Sequence, residues 1–392
     1  MNVIVLGGAD NQLACVAAAK SIGADVIVVD PRSHLSGSNL ADRWIHADVR
    51  DTRAILSALN GLSVAAVISD QSDYTAIGAA ELSTELGVKG QDPDLVLACT
   101  NKLVMRERLA NKVPDLIPNF NHFLDLDEAK SFISCRTAPV VVKPLQSQGS
   151  RGISLIENAA DDFLIEHAFA ESEGLGILVE SAVFGEEYSV DAYVSQGIVS
   201  PLAISRKSQY PGNPCLDERL CFLPSHFIDA EEVLLDALLR VITALEIPFG
   251  IIHAEFIVGK SNVTLLEIAL RGGGSGISSS VVPFLTNFDP VEALLRELLD
   301  LSPLPAPADF RRRSAILRFL PQGVRPQSRQ NPELFLDGSL EVVLSDLDNQ
   351  TGSVPASSAD RHGYIIVGTD TETSTLHAES SALIQLGYPL GS

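Results

Sequence analysis

Two carboxylates twelve positions apart, Glu255 and Glu267, carry the first chemistry this sequence suggests. Each sits in an apolar, strand-like run, FGIIHAEFIV (249–258) and VTLLEIAL (263–270), and GKSN joins the two runs. A carboxylate inside an apolar strand costs free energy unless a cation or a hydrogen bond compensates it. Two that face each other across an antiparallel pair share a face. Together they make a hard-oxygen site of the kind Mg²⁺ uses when it also holds phosphates. Direct opposition requires a turn centred on residue 261, hence a loop with an odd number of residues. From the hairpin alone, two unrelated glutamates on a solvated sheet face explain the pattern equally well.

Cations that could meet a phosphate are few. The chain has 28 Lys and Arg against 50 Asp and Glu, a formal charge of −22. Such a surface repels nucleic acid and anionic membrane, which excludes both as partners. An anionic substrate would need a local cluster of cations or a metal inside a negative molecule. Lys143 follows the apolar run PVVV, and SQGSRG (147–152) comes just after it. A Gly- and Ser-rich loop can turn backbone N–H groups towards phosphate oxygens, and a lysine beside it adds charge. Taken singly, this is a common hairpin loop, and Lys102 is an ordinary lysine at a helix start.

The elements that must position these groups follow from periodicity. At 392 residues the chain suits two or three packed domains. Over the first hundred residues, strand-like runs (2–8, 25–30, 64–70) alternate with helical ones (11–23, 54–61, 75–87). That alternation predicts a small doubly wound parallel sheet. From Thr100, a plausible N-cap, a helix runs over 101–110. Strand, glycine-bearing loop and strand then fill 138–156, and a helix covers 161–172. Two strands follow within 176–200, and 204–225 reads as a long irregular connection. An amphipathic helix over 229–247 leads into the carboxylate hairpin, a helix covers 289–301, and the last eighty residues read as mainly β.

The opening GGADNQ invites a dinucleotide reading, with Asp30 as the ribose acid, but GxGxxG would need glycines at 9 and 12 where the chain has Ala9 and Gln12. A phosphate-free turn is favoured. No apolar run is long enough to span a bilayer and the start has no basic n-region, which reads as a soluble protein without a secretion signal. Five cysteines without a CxxC suit reduced thiols in a cytosol.

The order of the pieces is specific: NK at 101–102, VVKP at 141–144, QGSRG at 148–152, VESAVFGEEYSVD at 179–191, HAEF at 253–256 and EIALRGGG at 267–274. In this order the chain resembles the ATP-grasp superfamily of carboxylate–amine and carboxylate–thiol ligases. The resemblance implies an α/β fold: a Rossmann-like pre-ATP-grasp domain at 1–98, a two-lobed α+β ATP-grasp domain at 99–302 with a flexible central lobe at about 113–180, and a β-rich C-terminal domain at 303–392. It further implies that Lys102 and Lys143 contact ATP phosphates under a flap that includes Ser147, Gln148, Gly149, Ser150 and Gly152. The backbone of Glu180, Ser181, Ala182 and Val183 would read the adenine edge, and Glu187 would bind the ribose hydroxyls. Glu255 and Glu267 would hold one or two Mg²⁺, with Mn²⁺ able to substitute, and Arg271 would hold transferred phosphate or substrate carboxylate. Arg206, Lys207, Gly272, Gly273, Gly274 and Ser275 are then the expected substrate and oxyanion contacts, while His253 is equally a substrate contact or a structural histidine. The family commonly has Asn two residues after the second metal acid, where this chain has Ala269.

These implications lead to an ATP-dependent, cytoplasmic ligase. It would phosphorylate a small carboxylate, couple the acylphosphate to an amine, and take amino acids among its substrates; a homodimer is common in the family. The alternatives are a bicarbonate-activating carboxylase of the purine or biotin type, a Mg-ATP-binding protein that has lost catalysis, and, outside the family, a dinucleotide oxidoreductase.

Overall fold

A computed structural model describes residues 1–146, 149–157, 161–320, 339–344, 357, 361 and 363–386. The first sheet consists of β1 (Asn2–Leu6), β2 (Asp25–Val29), β3 (Arg43–Ile45) and β4 (Ala66–Ile68). Its order is β3-β2-β1-β4 and every pairing is parallel, as the strand–helix alternation predicts. Strand β3 escaped the sequence reading because its three residues, RWI, are too short to show a period. The turn after β1 is closed by protein groups. A Cβ on Gly8 would lie 2.2 Å from the Trp44 ring, and the Gly8 N–H donates to the Asp30 carboxylate. Asp30 is also paired with Arg32 at 2.9 Å, so its oxygens are committed.

The second sheet is small and antiparallel: β5 (Phe120–Phe123), β6 (Val140–Pro144), β7 (Ser154–Ile156) and β8 (Ile177–Ser181), in the order β5-β8-β6-β7. It has a core of its own, with Val140, Val142 and Val179 packed on Ile133 and Ile165 from two flanking helices. Strand β5, FNHF, lacks a clean alternation and was not predicted.

The third sheet has eight strands: β9 (Glu186–Ser195), β10 (Ile198–Tyr210), β11 (Asn213–Phe222), β12 (Gly250–Val258), β13 (Val263–Ala269), β14 (Ser314–Phe319), β15 (Ser339–Leu344) and β16 (Gly363–Thr369). Their order is β13-β12-β9-β10-β11-β14-β16-β15. The stretch 204–225, expected to be irregular, is mostly the β10–β11 hairpin, whose register shifts near Ser208 and Gln209 break the period that would have revealed it. The helix Glu231–Leu245 buries Leu234, Leu238, Val241, Ile242 and Leu245, the predicted apolar stripe. Apolar residues of the first and third sheets belong to one continuous core, which fixes the two against each other. The closing segment is β16 followed by the helix Glu372–Gln385, as expected.

Candidate active site

The carboxylate hairpin forms by a route the sequence did not disclose. Glu255 and Glu267 are direct cross-strand partners. The loop between Val258 and Val263 nevertheless holds an even number of residues, 259–262. A bulge between Glu255 and Phe256 absorbs the difference, leaving Leu266 as the extra residue on β13. The freed Leu266 carbonyl accepts from Arg106 Nη2 at 2.9 Å, so the bulge is pinned from outside the hairpin.

Both carboxylates line a cleft of about 650 Å³ between the sheets, a volume that suits a ligand of nucleotide size. Lys102 enters it from the first turn of the helix Lys102–Leu109. That helix is capped by Asn101, whose side chain accepts from the Leu103 and Val104 N–H groups; Thr100, the expected cap, donates back to Val96 instead. Lys102 Nζ lies 3.5 Å from Glu267. Lys143 reaches the cleft from β6, and its ammonium is 2.7 Å from Glu180.

Glu180 sits between two cations. Its other oxygen accepts from Arg106 Nε at 2.6 Å, and Arg106 is fully buried. Burial alone would raise the Glu180 pKa; Arg106 and Lys143 outweigh it and hold the group down at about 2. The Glu180 side chain therefore holds Lys143 and Arg106 together at the cleft wall. The next residues form the cleft edge. Ser181 and Val183 line it, whereas Ala182 does not. The Ser181 and Ala182 N–H groups are spent on the carbonyls of Asn119 and Pro139. Gly149, Ser150 and Arg151 line the same cleft, and Gly149, Ser150 and Gly152 all have positive φ. Gly152 faces the small sheet instead: a Cβ there would lie 2.8 Å from Pro144 and 3.0 Å from Glu171. Ser147 and Gln148 lie outside the described residues.

Arg206 and Lys207 were expected to act together, but strand alternation separates them. Arg206 points outward, 42% exposed, and pairs with Glu186. Lys207 points into the cleft at 2% exposure and meets Glu187, Asp217 and Glu255 at 3.1, 3.0 and 2.5 Å. Burial would lower the Lys207 pKa, but the three carboxylates raise it well above the usual lysine value. Burial, opposed by Lys207 and reinforced by Asp217 and Glu255, pushes Glu187 up to about 7. Glu187 also accepts from Gln209 Nε2 at 2.9 Å. Glu255 goes the other way: burial is outweighed by Lys207 and His253, and its pKa is lowered.

His253 stands directly opposite Ala269 in the hairpin. Nδ1 is 2.8 Å from Asp191 and Nε2 is 3.4 Å from Glu255. Burial opposes its protonation, yet Asp191 and Glu255 raise its pKa to about 9. The imidazole borders the cleft and braces Glu255, a structural role.

Arg271 lines the cleft at 13% exposure, its Nε 2.6 Å from Asp73 of the N-terminal region. Of the glycines after it, only Gly274 borders the cleft, followed by Ser275. Gly272 and Gly273 are packing joints. The Gly272 N–H donates to buried Asp70 at 2.8 Å, and a Cβ on Gly273 would lie 2.8 Å from His253 Nδ1. Asp70 also accepts from Ser278 Oγ at 2.5 Å, and burial raises its pKa.

Sequence reasoning missed Asn11, Gln71, Asp217 and Arg361, all of which border the cleft. Asp217 was hidden by the irregular β10–β11 period. Arg361 lies 3.5 Å over the Phe319 ring and donates to the Asp217 carbonyl; nothing in the local sequence marks it.

Mg²⁺ keeps several waters and prefers one or two carboxylates plus phosphate oxygens. Glu255 and Glu267, opposed on one wall of a cleft with Lys102 and Lys143 nearby, fit that requirement. The arrangement can hold a polyphosphate, with its charge met by two lysines and by a metal on the two glutamates.

Residues 136–279 match the family profile of the ATP-grasp domain. The chain is 27% identical over 196 residues to phosphoribosylamine–glycine ligase of Methanosphaera stadtmanae, covering 44% of each. It is 27% identical over 274 residues to dapdiamide A synthase of Enterobacter agglomerans, covering 66% of this chain and 62% of that one. The chain thus spans less than two thirds of either relative. Its fold superposes on L-amino acid ligase from Bacillus licheniformis with a TM-score of 0.76 at 16% identity, over 97% of both chains. Over residues 136–279 the chain carries an ATP-grasp domain.

Proposed function

We propose that this chain is an ADP-forming ligase that phosphorylates a small-molecule carboxylate and couples the resulting acylphosphate to an amine, with amino acids among its substrates. One observation carries the reading: Lys102, Lys143, Glu255 and Glu267, far apart in sequence, line a single cleft. The relatedness to named C–N ligases supports it. In this reading the two lysines meet the phosphates, with Gly149, Ser150 and Arg151 beside them. Ser181 and Val183 border the adenine, and Glu187 takes the ribose. A divalent ion on Glu255 and Glu267 supplies charge neutralisation for the β- and γ-phosphates.

The chemistry asked of the chain is positioning and electrostatic stabilisation, so no Ser or Cys nucleophile is needed. A carboxylate oxygen of the acid attacks the γ-phosphorus and ADP leaves. The amine nitrogen then attacks the acyl carbon, inorganic phosphate departs and the nitrogen loses a proton. Arg271, paired with Asp73, would hold the acid or the departing phosphate. Asn11, Gln71 and Arg361 border the same space and suit the remaining polar groups of the substrates. Residues 1–98 would complete the substrate side, and the small sheet within about 113–180 would move as a lid that excludes water from the acylphosphate. Five free cysteines, three of them buried, support a reducing cytoplasmic setting.

The test is a phosphate-release screen of carboxylic acids, bicarbonate included, crossed with amines in the presence of Mg-ATP. Release that requires both an organic acid and an amine supports the ligase. Release that responds to bicarbonate in place of an organic acid moves the assignment to a carboxylase. A protein that binds Mg-ATP and responds to no pair refutes turnover.

A further inference from the structure

Lys207 is a cation that the fold installs where oxygen donors converge. Glu187 from β9, Asp217 from β11 and Glu255 from β12 each place a carboxylate oxygen within 3.1 Å of its ammonium. Three carboxylate oxygens from three strands thus frame one position for a cation. Here a side chain fills it, held at 2% exposure with no freedom to leave without stranding three charges.

The rest of the hairpin is poor in further donors. On β13 the next residue along the Glu267 face is Ala269, which has no ligand atom, and it stands opposite His253. Both ring nitrogens of His253 are turned to carboxylates, Nδ1 to Asp191 and Nε2 to Glu255. The same Glu255 oxygen meets both Lys207 and His253, so only the other oxygen is left for an ion shared with Glu267. A divalent ion beyond that one would face the Lys207 charge at close range, and among the described residues no group of three Asp, Glu, His or Cys is arranged to hold it.

We infer that Lys207 is a resident cation standing in for a second divalent ion, so that this chain binds its nucleotide with a single metal between Glu255 and Glu267. The inference deepens the proposed Mg-ATP reading and rests on it, but the Lys207 site can also be probed alone.

The experiment counts metal. Mn²⁺ is titrated into the full-length protein saturated with a non-hydrolysable ATP analogue, and free Mn²⁺ is read by electron paramagnetic resonance. One tightly held Mn²⁺ per bound nucleotide is expected, and two would overturn the inference. In parallel, Tb³⁺ luminescence is followed without nucleotide for wild type, Lys207→Met and Lys207→Met with Asp217→Asn. The single variant should bind Tb³⁺ at least about tenfold tighter than wild type, because removal of the ammonium opens three carboxylates, and the added Asp217→Asn should reverse the gain. A folded Lys207→Met protein with no gain would refute the idea, and if that variant fails to fold, the wild-type Mn²⁺ count decides. Failure of the wild type to bind the nucleotide analogue would refute the ATP reading, while the Tb³⁺ series would still decide the nature of the Lys207 site.

Discussion

Glu180→Gln separates a structural carboxylate from a ligand-binding one. The wild-type carboxylate accepts from Arg106 at 2.6 Å and from Lys143 at 2.7 Å, with its side chain 3% exposed. Its pKa falls from an ordinary 4.5 to about 2 despite complete burial. At about 1.4 kcal/mol per unit, that shift corresponds to about 3 kcal/mol of folding free energy at neutral pH. Removal of the negative charge also strands two buried cations, and breaking such a network costs about 3–5 kcal/mol. The sign follows from the depressed pKa. The contribution is complete above the unfolded-state value near 4.5 and disappears as pH falls through about 2. Urea denaturation of wild type and variant at pH 7 should therefore differ by about 3–5 kcal/mol, and the gap should narrow from pH 4.5 downwards. Because the variant releases Lys143, nucleotide-analogue affinity should fall as well. Equal stability at pH 7, or a gap that does not change with pH, would refute the argument that Glu180 is an ionised anchor.

Four further outcomes follow from the site. Glu267→Gln removes a metal donor at constant volume, so turnover should drop by about 10²–10³-fold while the circular dichroism spectrum stays unchanged; retained turnover would remove Glu267 from the site. Lys143→Ala should weaken binding of the ATP analogue by about 10–100-fold, read by calorimetry, since charge-assisted hydrogen bonds contribute about 1.5–3 kcal/mol. Arg206→Ala should leave turnover within about twofold because an exposed ion pair contributes little; a large loss would show that its outward orientation is wrong. Asp73→Asn loosens Arg271, and substrate-dependent turnover should fall by about tenfold while analogue affinity changes little, since a hydrogen bond to a charged group contributes about 1.5–3 kcal/mol.

Much of this architecture was legible because strong periods leave little choice. The parallel first sheet followed from apolar runs alternating with helices, and the amphipathic helix Glu231–Leu245 buries its predicted stripe. The opposition of Glu255 and Glu267 was legible, but its geometry was not. A bulge has no signature in an apolar run, and it converted an even loop into the right register. The same limit hid the β10–β11 hairpin, where irregular pairing masked the alternation that sends Arg206 out and Lys207 in. Lys102 and Lys143, 41 residues apart, reach one cleft from different elements. Glu180 illustrates the opposite case. Its place beside the cleft was expected, but its side chain turned to Arg106, a helix residue with no visible reason to matter until folding set it under the Leu266 carbonyl. Asn11, Gln71 and Arg361 come from distant segments, and only tertiary packing brings them to the site.

The central claim is that one cleft gathers two lysines and two glutamates around a metal-bound polyphosphate. Calorimetric titration of a non-hydrolysable ATP analogue, with Mg²⁺ and with chelator, tests it directly. The account predicts one binding site per chain, strongly weakened by chelator and by Glu267→Gln. Absence of nucleotide binding, or binding indifferent to both metal and Glu267, would contradict it.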